Sequence, residues 1–199
     1  AISACEKAGE WKNALDLLEE MKEAHLAPDV ITYNATISAC EKGGEWKNAL
    51  DLLHEMKEAH IAPNVITYSA AISACEKAGK WKNALDLLHE AISADVFLED
   101  CLTNISLLDL HADKIYSEPS MKYLITQGLI NPEHIAGVPS SIAKVILRHR
   151  FSSHGNLPNI LICGRHGDGV LKETCLSFLD DNKISYEYIE GQGHITITQ

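Results

Sequence analysis

Apolar residues recur along the first ninety positions with the spacing of an α-helix. Tyr33, Ile37 and Cys40 are four and three residues apart, which places them on one stripe of a helix. Trp46, Ala49, Leu50, Leu53 and Met56 form a similar face in the segment that follows. Between the two stripes stands Gly43-Gly44, which breaks a helix, and after the second comes Pro63. The pattern predicts a helical hairpin. Its first helix covers Tyr33–Lys42 with Thr32 as N-cap. Its second runs from about Glu45 to His60, and Pro63 ends it and starts the turn to the next unit.

The hairpin repeats. Cys5, Cys40 and Cys75 stand 35 apart, as do Trp11, Trp46 and Trp81, and Pro28/Pro63 and Tyr33/Tyr68 keep the same period. Paired at that offset, residues 1–34 and 36–69 differ at only six positions. A third copy holds to about Glu90 and then breaks. Met21 and Met56 give way to Ala91, and no proline follows. One hairpin cannot bury its own apolar face, so neighbouring copies must stack into a solenoid. The chain starts at Ala1, in the middle of a repeat, which leads us to expect a fragment whose targeting segment, if any, lies upstream.

Beyond Ala91 the pattern changes. Short β-type runs occur at Ile105–Leu110, Asn159–Cys163, Ser185–Ile189 and His194–Thr198, with helical segments near Ser140–Arg150 and Val170–Asp181. Strands alternating with helices predict a small α/β two-layer domain. The expected organisation is an α-helical solenoid of two and a half repeats over residues 1–94, followed by an α/β domain over 95–199.

Charge and cysteines narrow the function. There is no run of about 18 apolar residues, so no membrane span is expected. The six cysteines form no CxxC pair, which gives no support to a metal site and points to buried, reduced thiols. The net charge of -11 divides into -6 over residues 1–94 (9 Lys against 15 Asp and Glu) and -5 over the rest. That balance opposes a nucleic acid, because phosphate neutralisation normally supplies much of the affinity. A local basic strip, or stacking and base-edge contacts, would have to compensate. Lys12, Lys47 and Lys82 are the candidates for such a strip on a concave face, whereas an apolar groove there would suit a peptide.

The 35-residue period, the helix-turn-helix pattern and the phrase Ala27-Pro-Asp-Val-Ile-Thr-Tyr-Asn34 together resemble the pentatricopeptide repeat family, over residues 1 to about 94. The Trp-x-x-Leu-Gly-x-x-Tyr pattern of the tetratricopeptide family is absent. The resemblance implies single-stranded RNA as partner, read one base per repeat on the concave face, in organelle RNA processing or stability within a mitochondrion or plastid. It implies that the fifth and last residues of a repeat set base choice and that the second packs against the base. Counted from Val30, these are Asn34, Asn64 and Ile31, and an Asn/Asn pair implies a pyrimidine, cytosine most. The same count gives Ile66 and Ser69 in the next repeat, whose last position falls at Glu99 where the pattern has failed. The preceding repeat offers Asp29. Asn carries a donor and an acceptor, and RNA sequence is read from splayed single-stranded bases, so the chemistry fits.

The second half resembles the small MutS-related (Smr) family. Asp109-Leu110-His111, Gly164-Arg165-His166-Gly167 and Gly191-Gln-Gly-His-Ile-Thr-Ile carry that likeness. It implies nucleic-acid binding and, in some members, nicking of RNA or DNA. Asp109 and His111 are then the candidate catalytic pair. Side chains two residues apart on a strand share a face, so the Asp can orient the His or both can hold a metal-bound water, Mg²⁺ being the metal for a nuclease. Otherwise no cofactor is expected and no small-molecule substrate is evident. The glycine-rich turn that opens a helix offers Gly164, Arg165, Gly167, Gly169 and Lys172 as a phosphate site. It lacks the spacing of a Walker loop or a dinucleotide fingerprint. Ala112 replaces the glycine of the Asp-Leu-His motif, and about 25 residues (112–136) intervene before the next helix, read as an insertion. Glu133-His134 is the alternative counterpart of the motif. Three functions stand: sequence-directed RNA binding, a repeat-guided RNA/DNA endonuclease, and a protein–protein scaffold favoured by the acidic charge.

Overall fold

The computed structural model describes residues 1–99, 102, 107–128, 137–154, 159–163 and 169–198. They form two compact units, Ala1–Leu88 and His89–Gln199.

The first unit is built from α1 (Ile2–Ala8), α2 (Trp11–Glu23), α3 (Val30–Gly43), α4 (Trp46–Glu58), α5 (Val65–Lys77) and α6 (Trp81–Ser93), whose last turn falls in the second unit. These helices pair into successive hairpins, and α3 packs against both α1 and α5. Each of α2 and α4 touches its own first helix and the first helix of the next repeat. This is a helical solenoid. Tyr33, Ile37 and Cys40 are buried as their stripe predicts, and so are Ala49, Leu53 and Met56. Leu52 is buried as well, while Trp46 and Leu50 are only half-buried. A second helix that serves two neighbours needs a wider apolar face than one stripe.

The helix ends correct three expectations. The first helix begins at Val30 and its N-cap is Asp29, not Thr32. The Asp29 carboxylate accepts the Thr32 amide at 2.8 Å and the Thr32 hydroxyl at 2.7 Å, so Thr32 sits inside the first turn as a donor. Gly44 alone carries the break, with φ at 78°. Gly43 is still helical, and a Cβ there would lie 2.2 Å from Cδ1 of Trp11, so the missing side chain admits that ring. Finally, α4 ends at Glu58, well before Pro63. His60 turns the chain in the left-handed region at φ 58°, and the Ile61 amide closes back on the Met56 carbonyl at 3.0 Å.

Ion pairs recur with the repeat. Lys42 reaches Glu6 at 3.2 Å, and Lys77 bonds Glu41, each joining a first helix to the one before it. Lys22 of α2 meets Glu55 of α4 at 2.6 Å, and Glu55 also accepts the Tyr33 hydroxyl at 2.7 Å.

The second unit holds β1 (Leu107–Asp109), α7 (Ala112–Ile115), α8 (Glu118–Thr126), α9 (Ser140–His154), β2 (Ile160–Ile162), α10 (Val170–Asp181), β3 (Tyr186–Tyr188) and β4 (His194–Ile197). The sheet order is β1-β2-β4-β3, with β1 parallel to β2 and the other pairs antiparallel. Leu110, Ile142, Ile146, Leu161, Leu179 and Ile195 are fully buried. α9 packs against α10, with Phe151 edge-on to Phe178. His111 bridges Gly137 and the Val138 amide bonds the Leu110 carbonyl at 2.9 Å, so the residues on either side of 112–136 lie together. α7 and α8 lie in that segment, while Glu133-His134 lies outside the described residues.

Candidate RNA interface

Asn34 lies in the first turns of α3, and Asn64 is the N-cap of α5. Although thirty residues apart in sequence, they touch: Nδ2 of Asn34 donates to Oδ1 of Asn64 at 3.2 Å. Asn34 is buried at 7% exposure, so it is not an open polar residue on a helix start. Asn64 is half-buried and makes a capping box with Thr67. Thr67 is the residue that sequence reasoning passed over. Its hydroxyl donates to Oδ1 of Asn34 at 2.5 Å, and its Oγ1 accepts the Asn64 amide at 3.0 Å. The signal was present, since a Thr three residues after an Asn before an apolar run is a cap pattern.

Ile31, the residue expected to pack on a base, is 66% exposed. It shares a recess of about 330 Å³ with Ile2, Leu17, Met21 and Ala35. Ile66 and Ser69 are half-buried on α5. Asp29 is exposed, and the Thr32 hydroxyl and amide hold its carboxyl below the ordinary value. Positions 29 and 64 therefore both carry a capping duty, which by itself explains an Asp or an Asn there. Glu99 stands beyond the last repeat helix.

The three lysines considered for a basic strip stand at one end of the hairpins. Lys12, Lys47 and Lys82 are the second residues of α2, α4 and α6, at the turn end of each hairpin. Asn34 is nine residues from Gly43, about 14 Å along α3. Lys12 and Lys47 lie over the rings of Trp11 and Trp46, and Lys80 lies 5.4 Å from the centre of the Trp46 ring. The lysines therefore flank the tryptophans rather than the asparagine pair.

In the second unit Asp109 ends β1 and its Oδ1 bonds Nδ1 of His111, and also accepts the His111 amide at 3.1 Å. Both side chains are part-exposed. Asp109, Ile162 and His194 pair across three strands, so their side chains share one sheet face, with the outer two about 10 Å apart along the backbone. Among the described residues no three His, Cys, Asp or Glu gather closely enough to hold a metal. Of the phosphate candidates, Gly164, Arg165 and Gly167 lie outside the described residues. Gly169 is the left-handed N-cap of α10 at φ 76°, and Lys172 lies 5.3 Å from the centre of the Tyr188 ring. Cys40 and Cys75 are buried, which pushes each thiol up to about 11.

With this geometry in place, comparison with known proteins defines the class. Residues 1–42 and 28–77 match the PPR repeat family, and residues 66–96 match the PPR repeat. Together these matches cover residues 1–96, just under half of the chain. Among solved structures, the chain is similar to the pentatricopeptide repeat protein PPR10 from maize, with a TM-score of 0.51 and 20% identity over 91% of this chain and 21% of that one. PPR10 in complex with an 18-nt psaJ RNA element matches with a TM-score of 0.40 and 19% identity, over 86% of this chain and 23% of that one. The chain thus spans about a fifth of the length of the solved proteins it matches. At this identity the likeness to maize PPR10 shows the fold, a helical repeat solenoid. No curated protein matches the chain.

Proposed function

We propose that the chain binds single-stranded RNA through its repeats, with Asn34 and Asn64 meeting one base edge and Ile31 packing on a base. The observation that carries this reading is the Asn34–Asn64 hydrogen bond. It unites two amides whose N–H groups can face a base, beside an exposed aliphatic side chain. PPR10, which shares the repeat fold, has been solved with an RNA element. The test is a gel shift on pyrimidine-rich and purine-rich oligoribonucleotides at two salt concentrations. A pyrimidine-preferring shift that Asn64→Ala weakens is the expected result. No shift at low salt would discard the reading in favour of a protein scaffold. The log of the affinity should fall with log salt by about 0.7 per phosphate neutralised, and the acidic balance of the repeats implies few such contacts. The setting we propose is organelle RNA processing or stability, in a mitochondrion or plastid. A fluorescent fusion of the full-length protein tests it.

A second reading has one observation in its favour, the contact between Asp109 and His111. We propose that the second unit is Smr-like and that this carboxylate fixes the imidazole tautomer, leaving Nε2 to move a proton during RNA cleavage. Lys172 would stand by to meet phosphate. Incubation with RNA in the presence and absence of Mg²⁺, wild type against His111→Ala, decides it. Cleavage by both proteins alike, or by neither, removes the assignment.

A further inference from the structure

We infer that the Thr67 side chain holds the amide of Asn34 in place beside Asn64 and so sharpens the choice of base that the pair accepts. The inference rests on the proposed RNA-binding reading and deepens it.

The polarity follows from the backbone. Oδ1 of Asn64 accepts the amides of Ile66 at 3.0 Å and Thr67 at 3.2 Å. A backbone N–H can only donate, so the atom facing those amides is the oxygen and Nδ2 of Asn64 turns away. The Asn34 atom 3.2 Å from that same oxygen must then be its nitrogen. Asn34 Oδ1 is thereby aimed at Thr67. The Thr67 hydroxyl accepts the Asn64 amide at 3.0 Å and donates to Asn34 Oδ1 at 2.5 Å, with Oδ1 of Asn64 a longer second acceptor at 3.2 Å. Both amides thus have one consistent assignment.

What remains for a ligand is a set of donors, above all both N–H bonds of the half-buried Asn64, with the second N–H of the more deeply buried Asn34 behind them. Cytosine presents two adjacent acceptors, N3 and O2, on its Watson–Crick edge. Uracil places an N3–H donor between its acceptors and would meet a like group. The donor set selects cytosine. The upstream cap has the opposite character. Asp29 takes the same backbone role with Thr32 beneath it, but an ionised carboxylate offers acceptors only.

Thr67 is fully buried. Without its hydroxyl, the oxygen of the buried Asn34 loses its partner, and the amide is free to leave the orientation in which its Nδ2 donates to Asn64. Thr67 is thus a positioning residue, distinct from the pair that faces the base.

The experiment measures binding of the full chain to labelled oligo(C), oligo(U) and oligo(A), for wild type, Thr67→Val and Thr67→Ser. Wild type should prefer oligo(C) over oligo(U) roughly tenfold, the discrimination of one well-made base contact. Thr67→Val should bring that ratio toward one, with overall affinity reduced far less. Thr67→Ser, which keeps the hydroxyl, should keep the ratio. A purely structural role would lower the melting temperature in Thr67→Val without moving the ratio, and that outcome overturns the inference while leaving the RNA reading intact. Absence of RNA binding by wild type overturns both. Should Thr67→Val fail to fold, Thr67→Cys, a weaker donor of similar size, takes its place and must show a partial loss of preference.

Discussion

The stretch Ile-Ser-Ala-Cys-Glu-Lys occurs three times, at 2–7, 37–42 and 72–77, and the three copies meet different surroundings. In α3 and α5, Ile37, Cys40, Ile72 and Cys75 are fully buried. In α1, Ile2 and Cys5 are half-exposed and no residue of the helix is buried. Lys42 and Lys77 reach back to Glu6 and Glu41, and Lys7 is exposed. Identical sequence thus gives the same local helix three times, while burial depends on whether another first helix packs in front. In a solenoid the stability of a repeat belongs largely to its interfaces.

Four measurements would break or sharpen that comparison. The largest effect is expected from truncating the same isoleucine in two copies. Ile37→Ala should destabilise by about 2–5 kcal/mol, the usual cost of emptying a packed site. Ile2→Ala should cost under about 1 kcal/mol, because its site is partly open already. Denaturant unfolding of both variants checks this, and equal losses would refute the interface argument.

Alkaline titration comes next. Burial raises the Cys40 and Cys75 thiols from 9 to about 11. Their protonated forms are thus favoured by folding. The stability they contribute is complete below pH 9 and is lost as pH rises through about 11. At pH 8.5 iodoacetamide should modify Cys5 of the native protein well before Cys40 or Cys75, read by peptide mass.

Acid should loosen the tie between α2 and α4. Burial pushes the Glu55 carboxyl up, but bonds from Lys22 and Tyr33 and the charge of Lys22 outweigh it and hold the carboxyl below 4.5. The contribution is present above pH 4.5 and is lost as pH falls through the lower folded value. Glu55→Gln should flatten this part of the stability profile, and the change should be small because the pair is part-exposed. The smallest effect is a gain. His60→Gly should stabilise by about 0.5–1 kcal/mol, since glycine adopts the left-handed turn without steric cost, and a thermal melt would read it.

Much of the repeat half was legible in the chain, because its contacts are local and periodic. The stripe of Tyr33, Ile37 and Cys40 and the 35-residue offset lead directly to stacked hairpins. The errors sit at the helix ends. Thr32 precedes the apolar stripe as a cap would, yet the helix starts three residues earlier than that cap implies, at Val30, where Asp29 supplies the acceptor. Pro63 suggests a terminator, but the left-handed His60 already turns the chain. In the second half the four apolar runs do form strands, each shorter than its run where described, since pairing ends before hydrophobicity does. Their order β1-β2-β4-β3 was not readable, because it joins Leu107 to Ile160, more than fifty residues away in sequence.

By itself the sequence determined the repeat, its period and the helical character of each segment, because helix formation depends on residues three and four apart. The resemblance to pentatricopeptide repeats, carried by the same motifs, implied Asn34 and Asn64 as a pair. Only the tertiary structure decided which copy of a residue is buried, that Lys47 stands at the opposite end of the hairpin from Asn34, and that Thr67 joins the asparagine pair. The burial of one copy and the contact of Thr67 with Asn34 depend on packing between first helices of successive repeats, where direct contact and hydrogen-bond direction decide.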